Sequence, residues 1–229
     1  SPSVCLMDWT RKNLGASNIT LLPNFIASEH GMSSKPPKEN ALLFVGALTE
    51  QKGVDVLIKA MAQVLLVIPD ARLRIVGDGP EQEKLKELAT ILGVSELITF
   101  TGKLQHAQVI KEMDDALSVV IPSKYAENCS IVGIEAMSKG KVIIASRIGG
   151  LPDLVDDHET GFLVLPGDIE DLSSKMIYAI QYHSLLPDMG ASARAKYERC
   201  FSKPAYYRTL LFVYYRIIHE ARDRNAQFR

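Results

Sequence analysis

Apolar positions along the chain fall into two alternating kinds of segment. Short β-branched runs occupy Ile19–Leu22, Leu42–Val45, Leu73–Val76, Ile98–Thr101, Leu117–Ile121, Val142–Ala145 and Phe162–Val164. Longer stretches of helical period lie at Val54–Val67, Glu81–Leu92, Gln105–Met113, Ile131–Lys139 and Ile169–Tyr182. The second of these is well punctuated, with Pro80 suited to a first helical position and Gly93 to a terminating one. Strand–helix alternation with nearly continuous apolar strands implies a parallel sheet covered on both faces. The expected fold is α/β, a doubly wound parallel sheet. Residues Asn24–Asn40, with Pro36-Pro37 and Ser33-Ser34, read as a loop. Beyond about residue 183 the strand pattern stops, and Tyr206–Ala221 reads as one long amphipathic helix. Its aromatic cluster (Tyr206, Tyr207, Phe212, Tyr214, Tyr215) suits packing on this domain's own core or a docking surface for a partner.

Composition narrows the function classes. The chain has 229 residues, 47% of them hydrophobic, enough for a sizeable core and too many for a disordered chain. Its 26 basic and 27 acidic residues leave a net charge of −1, without the electrostatic footprint of a nucleic-acid or anionic-membrane binder. Any phosphate site must be local. Cys5, Cys129 and Cys200 form no CxxC pair, which argues against a disulfide framework or a zinc site and for a reducing compartment. The longest apolar run is interrupted at Gln63, far short of the roughly 18–20 residues of a membrane span. No signal-peptide pattern is present. The chain opens on Ser1-Pro2-Ser3 without Met, as expected of a piece of a longer protein.

Familiar motifs fail one by one. Gly77-Asp78-Gly79-Pro80 follows a strand, but Gln82 stands at the sixth position of the dinucleotide fingerprint. Gly140-Lys141 has Glu135 where a P-loop needs glycine. There is no GxSxG elbow, the five histidines are scattered, and no Asp-x-Asp pair anchors a metal-bound nucleotide.

The informative stretch runs from Ile121 to Met137. A strand ends at Pro122, a short loop follows, and a helix begins near Ser130, whose free amides suit an anionic phosphate beyond the carboxyl end of a parallel strand. Glu127 and Glu135 flank that site. A glycosidase pair needs carboxyl groups about 5 to 9.5 Å apart; eight helical residues rise about 12 Å. The two carboxylates therefore suit different parts of one extended ligand.

Glu-x7-Glu followed by Ala136-Met137-Ser138-Lys139-Gly140-Lys141-Val142 and by Gly149-Gly150-Leu151-Pro152-Asp153 resembles the retaining glycosyltransferases of family 4 (group 1). Leu22-Pro23-Asn24-Phe25, Phe44-Val45-Gly46 through Lys52-Gly53, Ile75-Val76-Gly77-Asp78-Gly79-Pro80, Phe100-Thr101-Gly102 and Thr160-Gly161-Phe162 fit the family's other motifs in order, over roughly Leu21 to Ile180. The resemblance implies the C-terminal, nucleotide-sugar-binding half of a two-domain GT-B fold. Residues 1–16 would be the interdomain linker and helix, 17–182 the Rossmann-like donor domain, and 183–229 a helical extension packing toward an N-terminal domain. It implies roles as well. Lys52 would hold the donor diphosphate, with Gly46 beside it, and Glu127 would lie against the transferred sugar, the two forming the catalytic set. The amides of Ser130, Ile131 and Val132 would cradle the distal phosphate, next to Asn128 and Cys129. Glu135 would accept from the ribose hydroxyls, and Gly102, Lys103 and Leu104 would border the base. The implied reaction moves a sugar from a UDP- or GDP-sugar to a hydroxyl of a glycan, lipid or small molecule, with no metal and no cofactor, at a cytoplasmic site that is at most peripheral to a membrane.

Two positions depart from the family pattern. Ala47 stands where a second cationic diphosphate ligand is usual. Such a contact is worth about 1.5–3 kcal/mol, so its loss corresponds to donor binding weaker by about ten- to a hundredfold unless Lys103 or Lys124 substitutes. Asn128-Cys129-Ser130 replaces Gly-Phe-Gly, although Ser130 remains a good N-cap. The rival readings are a non-catalytic relative that binds a nucleotide-sugar or a partner protein, and a nucleotide-sugar epimerase or phosphorylase.

Overall fold

The computed structural model describes residues 1–16, 18–26, 31–32 and 40–227, with side chains through His219. Most of the loop expected at Asn24–Asn40 lies outside the described residues. Six strands form one parallel sheet: β1 (Ala41–Val45), β2 (Arg72–Val76), β3 (Ile98–Gly102), β4 (Ser118–Ile121), β5 (Val142–Ser146) and β6 (Gly161–Val164). Their order is β3-β2-β1-β4-β5-β6. Every pairing is parallel, with Leu43 opposite Arg74 on one side and Val119 on the other.

Alternating side chains divide the core in two. On one face, Leu42, Phe44, Leu73, Ile75, Ile144 and Phe162 pack beneath α2 (Val54–Val67), α3 (Gln82–Ile91) and α7 (Ile169–Gln181). On the other, Leu43, Val119, Ile121, Ile143 and Ala145 meet α4 (His106–Asp115), α5 (Ile131–Ser138), the short α6 (Leu151–Leu154) and α8 (Leu186–Cys200). A strand buried on both faces has no polar alternation to show, which is why these runs read as continuously apolar. An N-terminal helix α1 (Val4–Leu14), capped by the Ser3 hydroxyl, docks through the Val4 amide, which donates to Asp153 at 2.8 Å.

The expected strand at Ile19–Leu22 does not form. Its bonds go to a single residue: the Ser1 ammonium donates to the Thr20 carbonyl at 2.9 Å, and the Leu22 amide to the Ser1 carbonyl at 2.7 Å. The next residue, Pro2, has no amide to continue a ladder. Helix α3 begins at Gln82 rather than Pro80, and the Glu81 amide just before it donates to the Leu48 carbonyl of the β1 loop at 3.0 Å. Residues 183–229 divide. Helix α8 packs on the second layer through Ala193 and Tyr197, with Leu186 at its start reaching the first, while α9 (Lys203–Gln227) leaves Tyr207, Leu211, Tyr214, Tyr215 and Ile218 exposed.

The carbonyls at the end of α4 would be orphaned without help. Lys141, 6% exposed, supplies it: its Nζ donates to the Asp114 and Ala116 carbonyls at 2.9 and 2.8 Å, while Lys139 pairs with the Asp114 carboxylate at 2.9 Å. Burial pushes the Lys141 ammonium below the usual lysine value, with the Asp114 carboxylate opposing and Lys139 reinforcing the fall. Lys141→Met removes both donated bonds, one of them to the buried Ala116 carbonyl, and should cost about 1–3 kcal/mol in urea unfolding at neutral pH. The native state gives up this proton before the unfolded chain does, so between the two pKa values the unfolded chain binds more protons and stability rises with pH. The wild type's advantage over Lys141→Met should therefore widen as pH climbs toward the usual lysine range; an advantage that stays flat or shrinks contradicts this account.

Candidate functional site

Strand order reverses between β1 and β4, and in open α/β sheets ligands bind in the crevice beyond the strand ends at such a point. The two loops that leave those ends are locked together. After Gly46, whose amide donates to the Val76 carbonyl at 3.0 Å, the β1 loop makes one tight turn over Glu50–Lys52 and reaches Gly53. Gly53 has φ +67°, and a Cβ there would lie 2.0 Å from the Pro122 carbonyl oxygen at the end of β4. The Lys124 amide donates back to the Gln51 carbonyl at 2.9 Å.

This contact sets Lys52 against Glu127. Lys52 Nζ lies 2.8 Å from Glu127 Oε1, and the buried Ser123 hydroxyl donates to the same oxygen. The Glu127 side chain is 15% exposed and that of Lys52 33%, so the pair is partly desolvated. Glu127's backbone is fixed from behind: its carbonyl accepts from the Gly150 amide at 2.6 Å, and a Cβ at Gly149 or Gly150 would collide with the Glu127 or Asn128 backbone. The paired glycines after β5 thus shape the loop that carries the carboxylate.

Ser130 caps α5, its hydroxyl accepting from the Gly133 amide at 3.3 Å. The Ile131 and Val132 amides belong to the helix's first turn, where no acceptor exists within the helix. One turn further, Glu135 is 9% exposed and meets His106 of α4, Nε2 to Oε1 2.8 Å. Gly102 ends β3, and its carbonyl accepts from the Gly77 amide at 2.9 Å. Lys103 is exposed, whereas Leu104 and Val132 pack on the second core.

The structure thus brings Lys52 and Glu127 together, sets Gly46 at the end of β1 against Gly77, and places Ser130, Ile131, Val132 and Glu135 at the start and along the length of α5. Asn128 and Cys129 instead line a cavity of about 340 Å³ bounded by Pro2, Leu21, Leu154 and Phe201. Burial raises the Cys129 thiol above its ordinary value, with Asp153 adding to the rise against a bond from the Asn24 backbone. Such a thiol is a poor nucleophile. Ala47 is exposed, and Lys124 is committed to Asp55 at 3.1 Å. Among the described residues no cluster of His, Cys, Asp and Glu is arranged to hold a metal. Sequence reasoning passed over Ser123 and His106. Ser123 stands four residues before Glu127, a local spacing that points at it, whereas His106 lies 29 residues from its partner with no local signal.

The family model for glycosyl transferases group 1 matches residues 26–196, well over half of the chain. The chain belongs to that family. It is 31% identical to the sulfoquinovosyl transferase of Arabidopsis thaliana over 192 residues, covering 82% of this chain and 36% of that protein. Sucrose-phosphate synthase from Thermosynechococcus elongatus superposes with a TM-score of 0.83 at 26% identity, over 95% of this chain and 57% of its own. HepE from Anabaena, solved in complex with UDP, superposes with a TM-score of 0.70 at 24% identity, over 92% of this chain and 52% of its own. The chain spans roughly a third to a half of the curated relatives it matches.

Gly53→Ala should destabilise the chain by at least about 2 kcal/mol, since left-handed strain adds to a backbone collision. Urea unfolding with an unchanged slope measures this. A cost under about 0.5 kcal/mol means the two loops are not locked as described.

Proposed function

We propose that this chain is the donor-binding half of a retaining, metal-independent glycosyltransferase that moves a sugar from a UDP- or GDP-sugar onto a hydroxyl of a glycan, lipid or small molecule. The observation that carries the reading is the Lys52–Glu127 pair at the β1/β4 reversal, beside the start of α5. Lys52 neutralises the departing diphosphate as a point charge. The α5 amides hold its distal phosphate. Glu127, aimed by Ser123, lies against the sugar and opposes the oxocarbenium-like charge at the anomeric carbon. Glu135 accepts from the ribose hydroxyls, and Gly102, Lys103 and Leu104 border the base. In the family the departing phosphate is often proposed to deprotonate the acceptor on the same face, a route with no metal and no cofactor. HepE's complex with UDP supports a uridine donor.

The acceptor is read largely by a second domain. Helix α9 presents Tyr207, Leu211, Tyr214, Tyr215 and Ile218 as the surface on which that domain docks. No helix among the described residues is long and apolar enough to cross a membrane. With three free cysteines, a cytoplasmic site fits best.

Calorimetric titration with UDP, GDP and ADP tests the donor site. One nucleotide should bind saturably, and Glu135→Ala should weaken it about ten- to a hundredfold, the value of a charge-assisted contact. Binding that ignores Glu135→Ala overturns the site. In the full-length protein, Glu127→Ala should lower kcat for sugar transfer by at least about a hundredfold while nucleotide affinity stays within about threefold. Transfer that survives Glu127→Ala overturns its role.

A further inference from the structure

Glu135 is a carboxylate held almost out of solvent, on a helix whose adjacent residues Ile134, Ala136 and Met137 are all buried in the second core. A charge so placed needs a partner. The one it has comes from a different element: His106, the first residue of α4, reaches across so that its Nε2 lies 2.8 Å from Oε1. The two ends of this bridge differ in freedom. The Glu135 side chain is 11% exposed, whereas that of His106 is 66% exposed. The His106 backbone is fixed by a capping box in which the Gln105 amide donates to the Gln108 side chain at 2.9 Å. The imidazole itself is mostly exposed, with solvent beside it.

From this geometry we infer that His106 is a displaceable latch on Glu135, occupying a ribose-binding oxygen when no donor is present and swinging away when one arrives. The inference rests on the donor reading above, which puts the base beside Gly102–Leu104 and the ribose at Glu135. The bridge runs between those two places. A ribose diol has two hydroxyls and a carboxylate two oxygens, so a full grip on the ribose needs both, and the imidazole holds one. Donor binding exchanges an exposed contact for a more buried one, and the nucleotide gives up part of its affinity to open the latch. A 2′-deoxyribose has one hydroxyl to place and leaves Oε1 with His106. His106 acts through Glu135 and is a positioning residue.

The test is calorimetric titration of the chain and its His106→Ala variant with UDP, GDP and their 2′-deoxy counterparts, with Glu135→Gln as control. Because His106 is exposed, the substitution should leave the fold intact, which the urea midpoint checks. For whichever ribonucleotide binds, His106→Ala should tighten binding about two- to tenfold, the range for one hydrogen bond, while the 2′-deoxy nucleotide changes less than about twofold. Selectivity for ribose therefore rises in the variant. Unchanged or weakened ribonucleotide binding overturns the latch, and so does equal tightening of both sugars, which signals a steric effect alone. Failure of both ribonucleotides to bind the wild type, or indifference to Glu135→Gln, overturns the donor reading and the latch with it.

Discussion

Strand β1 pairs with β2 on one side and β4 on the other, both parallel, so the chain winds outward from its two central strands in opposite directions. Successive crossovers then fall on opposite faces and leave a gap beyond the β1 and β4 ends that no helix fills. The two loops bordering that gap are held to each other by the close approach of Gly53 to the Pro122 carbonyl and by the Lys124 amide's bond to the Gln51 carbonyl. Any side chain at residue 53 would drive the β1 loop away from β4. Lys52 and Glu127, on the two sides of this contact, inherit its separation and meet at 2.8 Å. The glycine pair 149–150 does the same for the far side of the Glu127 loop. Backbone packing that admits only glycine thus sets the distance between the two charges at the heart of the site.

The helices at the edges of the molecule differ in how fully they are packed. Helix α8 is an ordinary layer element, so closely laid that a Cβ on Gly190 would reach the Gly140 carbonyl oxygen at 2.1 Å. Helix α9 is different: Phe25 stacks against Tyr206 near its start, with ring centroids 4.4 Å apart, but the apolar side chains further along stay exposed. Helix α1 buries none of its own residues and leaves Trp9 54% exposed. On the proposed reading these two helices are the surfaces that meet a second domain.

Much of this was legible in the sequence because burial on both faces writes strands as unbroken apolar runs. Six of the seven expected strands stand where Leu42, Leu73, Ile98, Leu117, Val142 and Phe162 mark them, within a residue or two. The seventh, Ile19–Leu22, has the right composition but no partner with free amides, and composition does not report partners. Helix α8 is a different case. Leu186, Ala193 and Tyr197 stand at helical spacing on its contact face, but Gly190 and a buried Lys196 paired with Asp156 at 2.8 Å break that stripe, so it reads weakly. At the site, the residues carried by a contiguous motif, Glu127 through Glu135, could be named. The partners that set their chemistry could not: Ser123 needed the fold of the loop, and His106 needed α4 and α5 to be neighbours.

On the proposed reading, Ala47 leaves the donor site without a second cation at that position. With alanine at that position, the Lys52 ammonium is the cation paired with Glu127, and Lys124 is drawn away to Asp55. An empty crevice is therefore close to locally neutral. On the proposed reading, a diphosphate brings about two negative charges to a site holding one paired lysine, and that lysine must divide itself between the phosphate and the carboxylate. Ser123 eases the conflict, because its hydroxyl already donates to Glu127 Oε1 and keeps one hydrogen bond on that oxygen when Lys52 turns to the phosphate. The α5 amides carry no counter-charge of their own and can take the rest. The arrangement trades a second fixed cation for a hydroxyl and a helix terminus. Donor binding in this chain should then depend on backbone geometry more, and on ionic strength less, than in a relative with two cations, since amide dipoles act at short range and a charge pair is screened by salt.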